Sequence, residues 1–321
     1  MRPLHVTRIA AVLGLAGSLS LLPLSALPFG TINSLGQSAE HEKITRLALG
    51  REGFEPRTLD ELAGKTGTFG AVGAPDRPDR GLMSNKSAHC DGGDHLNLPG
   101  YPQTAEDARR RLGACRQWVF ANLNAAVDAA GRLLDRNGRV RDSQIPTRVP
   151  CGYNGRSGRA KCDVLEALGL ALHAAQDFYS HSNWTDADPP GRATLSKPPG
   201  LGNRAPARWL NPRRNHGFPP GLISGCYDGF PEALHCENQV RHESLNKDTG
   251  AIDAASGRIG RGSTSRGQES GNFARAIGAA ILDTRDKWAF FRERVLRIHG
   301  PDRGGRIICA VLRDDPARTC L

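Results

Sequence analysis

Amphipathic segments alternate along this chain with stretches dominated by Pro and Gly. In four segments apolar residues recur every three or four positions, which is the period of a helix with one buried face. These segments cover residues 40–49, 104–134, 163–184 and 272–298. The sequence contains no internal repeat and no series of alternating apolar and polar residues typical of an extended sheet. The pattern predicts an all-α fold, a helical bundle joined by long Pro/Gly-rich loops.

Polar residues and glycines indicate where several helices begin and end. Thr104 is placed to cap the second helix, because its hydroxyl can accept a hydrogen bond from a free backbone N–H and two acidic residues follow it. Asn137 and Gly138 are expected to stop that helix, and Asp163 to cap the next one. Residues 189–220 and 250–271 are predicted to be loops, of a kind that often forms functional surfaces. A short hairpin within 151–162 or 309–320 is an alternative for those segments.

Residues 1–26 have the features of a secretory signal peptide. Arg2 and Arg8 give a basic start, an apolar run rich in Leu and Ala follows, and small residues up to Ala26 offer a cleavage site. An uncleaved membrane anchor is the alternative, but Gly14 and Pro23 interrupt the apolar run. We therefore expect a secreted, extracellular protein, with one helical domain over 27–300 and a disulfide-closed C-terminal tail over 301–321.

Eight cysteines in an exported chain indicate disulfide bonds. They fall along the chain as four pairs of near neighbours, so local pairing is the simplest arrangement, although spacing alone does not determine connectivity. Their spacing differs from that of zinc-ribbon motifs. The expected pairs are Cys90 with Cys115, Cys151 with Cys162, Cys226 with Cys236, and Cys309 with Cys320.

The chain has 43 Lys and Arg residues against 33 Asp and Glu residues, a formal net charge of +10. A basic surface attracts anionic partners such as phospholipid head groups or nucleic acid. The alternative is that the Arg residues are spread over solvated loops, since the sequence contains no long basic run. An anionic phosphodiester substrate or a membrane surface is the expected partner. Nothing in the sequence indicates a specific protein partner, so we expect a monomer.

The strongest chemical signal lies within the third predicted helix. His173, Asp177 and His181 are spaced four residues apart and therefore lie along one stripe of a helix that is otherwise apolar. Imidazole nitrogens and carboxylate oxygens are zinc ligands. Burying these groups is costly unless something pairs with them, and a metal ion would supply that pairing. A solvated stripe or a hydrogen-bonded His–Asp–His ladder is the alternative.

Further His and Asp residues occur in three other segments. One is a Gly-containing loop that carries His89, Asp91 and Asp94, preceded by Asp76. The others contain His41, in the first predicted helix, and His242. Each of these alone is more often structural than catalytic, because Asp and Gly are ordinary turn residues.

Taken together, these segments resemble one protein family. The matching motifs are Phe29-Gly-Thr-Ile-Asn-Ser-Leu-Gly, Glu40-His-Glu-Lys-Ile-Thr, His89-Cys-Asp, Gly169-Leu-Ala-Leu-His-Ala-Ala-Gln-Asp-Phe-Tyr-Ser-His-Ser-Asn-Trp and His242-Glu-Ser-Leu-Asn-Lys-Asp. They resemble exported CinY-like proteins, which are similar to the HET-C heterokaryon-incompatibility family. That family is distantly similar to the zinc-dependent phospholipase C and P1 nuclease superfamily. The resemblance runs from about residue 29 to residue 288, and its most specific part is residues 168–184.

The resemblance implies an all-helical fold with one to three zinc ions in a cleft. It implies that Asp177 bridges two ions and that Asp76 also orients or deprotonates the attacking water. His181 is expected on the same face, as a ligand or as a group that orients one, and Asp91, Asp94, Asn183 and Asn246 behind the ligands. The ligands carried over by position are His41, Asp76, His89, His173, Asp177 and His242.

Two positions depart from the pattern of the enzymes. A histidine six residues after the helix carboxylate is replaced here by Asn183, and the acid four residues after the late histidine by Asn246, with Asp248 beyond it. The number of ions and the turnover of phosphodiesters are therefore left open. One hypothesis is a secreted zinc phosphodiester hydrolase, similar to phospholipase C. The other is a non-catalytic extracellular recognition module, held together by metal and disulfides.

Overall fold

Three long helices, over residues 105–130, 160–181 and 272–299, form the centre of this mostly helical protein. The computed structural model describes residues 29–33, 37–65, 68–155, 158–188 and 191–320, so the predicted signal segment lies outside the described residues. The helices are α1 (Glu40–Leu49), α2 (Pro56–Ala63), α3 (Lys86–His89), α4 (Ala105–Ala130), α5 (Ala160–His181), α6 (Glu232–His235), α7 (Ser265–Gln268), α8 (Asn272–His299), α9 (Pro301–Leu312) and α10 (Pro316–Thr319).

Helix α5 is the central element, because nearly all of its side chains are buried, including its polar ones. It packs against α4 on one side and α8 on another. Gly169 allows the segment containing Ala71 and Val72 to approach α5 closely, since a Cβ at residue 169 would lie 2.3 Å from the Ala71 carbonyl carbon. This close approach brings the backbone carbonyl of Val72 next to His173.

The helix predictions are largely confirmed. The first and last predicted helices are α1 and α8, and the Thr104 side chain accepts a hydrogen bond from the Asp107 N–H at the start of α4. The α-helical part of α4 ends at Ala130 and continues as a 3-10 turn over Gly131–Leu133, so it stops before Asn137.

The prediction that Asp163 caps α5 is wrong. The helix begins three residues earlier, at Ala160, because Ala160, Lys161 and Cys162 are completely buried and continue the helical packing into the core. Asp163 lies in the first turn, where a negative charge is favourable.

The predicted loop 250–271 and the predicted C-terminal tail 301–321 both contain regular structure. Strands β1 (Gly250–Ile252) and β2 (Ile259–Gly262) pair antiparallel within the predicted loop 250–271. They are too short and too rich in Gly to produce an alternating pattern. Residues 301–312 form α9, which packs against α8 with Ile307 and Val311 buried, so much of the C-terminal segment belongs to the core.

Four disulfide bonds join the cysteines in the local pairs that were expected. They are Cys90–Cys115, Cys151–Cys162, Cys226–Cys236 and Cys309–Cys320. Disulfides are typical of proteins in oxidising compartments. In the described ranges, no helix combines the length and the apolar character needed to cross a bilayer.

Candidate metal centre

Five of the predicted ligands, His41, Asp76, His89, His173 and Asp177, come together in one cluster, called here the first cluster. They are supplied by α1, a 3-10 turn at Ala74–Asp76, α3 and α5. Four of them are at most 2 % exposed, and the side chain of Asp76 is 11 % exposed. The cluster therefore reaches solvent mainly through Asp76.

Asp177 is the centre of the first cluster. Its Oδ2 atom lies 2.9 Å from Nε2 of His173 and 3.0 Å from Nδ1 of His89. Its other oxygen, Oδ1, lies 3.0 Å from Nε2 of His41. Oδ1 of Asp76 is 3.8 Å from the facing nitrogens of both His89 and His173. These separations suit donor atoms that surround a common point, because two ligands of one zinc ion lie roughly 3–4 Å apart.

The far nitrogen of each histidine ring faces an acceptor outside the cluster. Nδ1 of His173 is 2.8 Å from the Val72 carbonyl oxygen, and Nε2 of His89 is 3.2 Å from the Leu82 carbonyl oxygen. Nδ1 of His41 is 2.7 Å from Oε1 of Gln176. Because these oxygens only accept, each outer nitrogen must carry a proton. In the neutral ring the inner nitrogen then presents its lone pair to the cluster, which is the arrangement of metal-bound histidines.

Two atoms of the first cluster are buried without a hydrogen bond to any described residue: Nε2 of His41 and Oδ1 of Asp177. They lie 3.0 Å from each other, yet their orientation does not make a hydrogen bond. A buried polar atom without a partner is costly. A cation held between them would satisfy both atoms, so these residues fit a metal ion.

Opposing effects act on the protonation of the first cluster. Burial acts to lower the pKa of His89, but the hydrogen bond to Asp177 and the charges of Asp76 and Asp177 raise the pKa from 6.5 to about 9. Burial lowers the pKa of His173 below 6.5. Burial acts to raise the pKa of Asp177, yet the charges of His173 and His41 hold it well below its usual value. Asp177 is therefore a carboxylate, ready to bind a cation.

A second cluster lies one helical turn further along α5. It consists of Asp91, His181, His242 and Asp248, which come from the loop after α3, the end of α5, a 3-10 turn at His242–Ser244 and the residues that follow it. Nδ1 of His181 is 3.0 Å from Oδ1 of Asp91, and Nε2 is 3.0 Å from Oδ1 of Asp248. Nε2 of His242 is 3.7 Å from Oδ2 of Asp248. Asp91, His181 and His242 also place ligand atoms within 4.8 Å of one another.

The second cluster differs from the first in its protonation. Burial acts to lower the pKa of His181, but Asp248 and Asp91 on either side of the ring raise it well above 6.5. Without a metal ion, His181 is thus a cation between two carboxylates. His242 keeps a buried Nδ1 without a hydrogen bond to a described residue, 3.3 Å from Oε1 of Glu232.

Three residues expected behind the ligands have other contacts. The Asp94 carboxylate accepts a hydrogen bond from Tyr101, and Asn183 bonds to backbone groups of Ile223, Pro199 and Gly221. Oδ1 of Asn246 accepts from the backbone N–H of Asp248 at 2.8 Å. These three residues shape the loops around the site. Asp91, the fourth, contacts His181 directly.

Sequence reasoning missed several residues of the site. The α5 motif contains Gln176 without assigning it a role, yet its amide orients His41 and contacts Thr45 and Thr284 at 3.1 Å each. The sequence gives Asp248 only a place beyond Asn246 and gives Glu232 no role. The sequence signal for Gln176 is its place directly before Asp177 on the central helix. Nothing in the sequence relates Glu232 to His242.

Comparisons with protein-family models, with curated proteins and with solved structures find no match for this chain.

Proposed function

We propose that this protein is an exported zinc-dependent phosphodiester hydrolase, similar to the HET-C and CinY-like proteins and distantly to phospholipase C and P1 nuclease. The observation that carries the proposal is the first cluster. Three histidines with fixed outer N–H groups turn their inner nitrogens towards the buried Asp177 carboxylate, and two atoms there lack a hydrogen bond to any described residue. The fold expected from this resemblance is a helical bundle around that site.

The donor set favours zinc. It combines imidazole nitrogens with carboxylate oxygens, and zinc accepts both, whereas calcium and magnesium prefer oxygen ligands alone. His41, Asp76, His89, His173 and Asp177 would hold one or two ions. Asp91, His181 and His242, together with Asp248, would hold a further ion, for a total of one to three.

The residues of the first cluster suit an attack of water on phosphorus. Zinc, when bound, supplies positive charge that acidifies water and offsets the negative charge that develops at phosphorus. Asp76 is the cluster residue that reaches solvent, so its carboxylate would orient the water and take its proton as the new P–O bond forms. The ester P–O bond to the leaving alcohol breaks, and that oxygen takes up a proton. The products are a phosphomonoester and an alcohol.

The substrate class follows from charge. A net charge of +10 favours polyanions and anionic surfaces, which include phospholipid head groups and nucleic acid. The four disulfides support export into an oxidising compartment, where such substrates would be met.

The deep burial of the first cluster favours a second candidate, a non-catalytic extracellular recognition module in which metal and disulfides stabilise the fold. His41, His173 and Asp177 are completely buried, so a substrate would reach the cluster only beside Asp76. In this case metal would raise stability and no diester would be cleaved.

One experiment separates the two candidates. The mature protein is purified without chelator, its zinc content is measured, and it is then assayed on bis(p-nitrophenyl) phosphate, phosphatidylcholine vesicles and single-stranded DNA. The matched variant is Asp76→Asn, which keeps the shape of the side chain. We expect zinc in both proteins, because the other four residues of the first cluster remain in the variant, and turnover that falls at least about a hundredfold, as for loss of a general base. Zinc without turnover on any of the three substrates supports the recognition module, and a protein without zinc would refute both.

A further inference from the structure

One tyrosine hydroxyl differs from the others in the molecule. The chain has four tyrosines. The hydroxyls of Tyr101, Tyr153 and Tyr179 each have a protein partner, namely Asp94, Glu61 and the Ala207 N–H. Among the residues that the structure describes, the hydroxyl of Tyr227 has no hydrogen-bond partner.

Tyr227 lies beside the metal centre. Its ring is 5.6 Å from the ring of His242 in the second cluster, and the side chain is half-buried. The Gly92 N–H, directly after Asp91, donates to the carbonyl of Gly225 at 2.8 Å. The segment of Tyr227 therefore runs beside Asp91 and His242, two residues of the second cluster.

The segment that carries Tyr227 is held firmly. Cys226 is bonded to Cys236, and its N–H donates to the Val240 carbonyl at 2.8 Å. The Gly225 N–H donates to the carbonyl of His181 at 2.9 Å, and a Cβ on Gly225 would lie 2.4 Å from the Cα of His242. Tyr227 is thus fixed in position relative to both clusters, as a group that contacts a ligand must be.

Lys86 lies on the same helix as His89. Its Nζ is 3.1 Å from Oδ2 of Asp228, the residue after Tyr227. This ion pair joins α3 to the segment of Tyr227, and it is partly exposed. A lysine and a tyrosine hydroxyl are therefore two hydrogen-bond donors on segments that adjoin the candidate ligands His89 and His242.

We propose that Tyr227 is a ligand-contacting residue of this centre, which donates a hydrogen bond from its hydroxyl to an oxygen of a tetrahedral oxyanion bound at the second cluster, beside His242. The oxyanion class is phosphate, free or as the phosphoryl group of a diester. This inference rests on the proposed metal centre and specifies how its substrate is recognised.

The test uses inorganic phosphate as the probe. Zinc-loaded mature protein, freed of excess zinc by gel filtration, is titrated with phosphate in a calorimeter. The variants are Tyr227→Phe and, as a matched control, Tyr153→Phe, which loses a hydroxyl bonded to Glu61 away from the site. We expect Tyr227→Phe to weaken phosphate binding about tenfold or more, because a hydrogen bond to an anion is lost. Tyr153→Phe should bind phosphate like the unaltered protein, and both variants should keep their zinc.

Failure of this inference is distinguishable from failure of the proposed function. Equal phosphate affinity in Tyr227→Phe and the unaltered protein would overturn the role of Tyr227, as would a fully zinc-loaded protein that binds no phosphate. Phosphate binding that depends on Tyr227, without cleavage of any diester, would leave the inference standing and refute the hydrolase. A protein that takes up no zinc would overturn both, and the metal analysis would show this before phosphate is added.

Discussion

Replacement of Asp177 by asparagine tests the metal centre most directly, because it removes one negative charge and keeps the shape of the side chain. The carboxylate lies within 3.0 Å of a nitrogen of His41, His89 and His173. Without metal, its charge balances whichever of these rings is protonated. In the proposed metal centre, it is the ligand that the three histidines surround. The substitution should therefore affect both the metal-free protein and its response to zinc.

The two effects have different magnitudes. Removing one partner of a buried ionic pair costs about 3–5 kcal/mol, so the metal-free variant should lose roughly that much free energy of unfolding. Zinc at 1,000 times its Kd adds about 4 kcal/mol to the stability of the unaltered protein. Loss of even an outer partner of a metal site weakens metal binding 10- to 100-fold. If Asp177→Asn weakens binding about a hundredfold, the same zinc concentration adds only about 1.4 kcal/mol.

The measurement is urea unfolding followed by circular dichroism, with the disulfides intact, once in EDTA and once in excess zinc. Asp314→Asn is the matched control, because the Asp314 carboxylate accepts from the Thr58 N–H at 2.8 Å, outside both clusters. The control should lose stability yet keep the full zinc increment. If Asp177→Asn also keeps the full increment, the first cluster does not hold the zinc.

Three further predictions concern protonation, orientation and the number of ions. The pKa of His89 is raised from 6.5 to about 9, so in EDTA its stabilising contribution is complete below pH 6.5 and is lost as the pH rises through about 9. The loss of unfolding free energy amounts to about 3 kcal/mol and should appear in unfolding curves taken from pH 6 to 10. Zinc binding, in contrast, should strengthen as the pH rises, because protons compete with zinc for the same nitrogens. Gln176→Met removes the acceptor that holds His41 and should weaken zinc binding 10- to 100-fold in a chelator competition. Gln176→Glu keeps an acceptor at this position and should bind zinc at least as tightly as the unaltered protein. His242→Ala should lower the zinc content by one ion per chain in metal analysis and leave the zinc increment of the first cluster intact; loss of all zinc would show that the clusters are not separate sites.

The sequence was sufficient for those parts of the site that lie on long helices. Residues four apart on α5 must share a face, so His173, Asp177 and His181 could be grouped from spacing alone. Asp76 and His89 come from short turns, and only the family resemblance placed them beside α5. Glu232 is brought to His242 by a fold-back that includes the Cys226–Cys236 disulfide, and no local pattern encodes such a contact.

The helix ends, too, can be predicted from the sequence only where local contacts determine them. Thr104 was recognised as a cap because its hydroxyl acts locally, on the N–H of Asp107. The start of α5 was misplaced because Lys161 is a polar residue with a structural role inside the core. Its Nζ donates a hydrogen bond to the Arg313 carbonyl near the end of α9, a contact about 150 residues away along the chain. Tertiary contacts of this kind override the local preference of the sequence.

The two departures from the enzyme pattern, Asn183 and Asn246, affect the second cluster more than the first. In the first cluster the outer nitrogens of all three histidines face acceptors, and burial lowers the pKa of His173, so its inner nitrogen is free to bind a metal ion. At neutral pH the ion displaces a proton from the inner nitrogen of His89, whose pKa is raised to about 9. In the second, both nitrogens of His181 face carboxylates, Asp91 and Asp248, and a metal ion must displace a proton from the ring before it can bind. Asn246 contributes no charge there, because its side chain is a neutral amide, and its oxygen accepts a hydrogen bond from the backbone N–H of Asp248. The first cluster should therefore bind zinc first. In the second cluster the proton on His181 already balances much of the negative charge of Asp91 and Asp248, which a metal ion would otherwise neutralise.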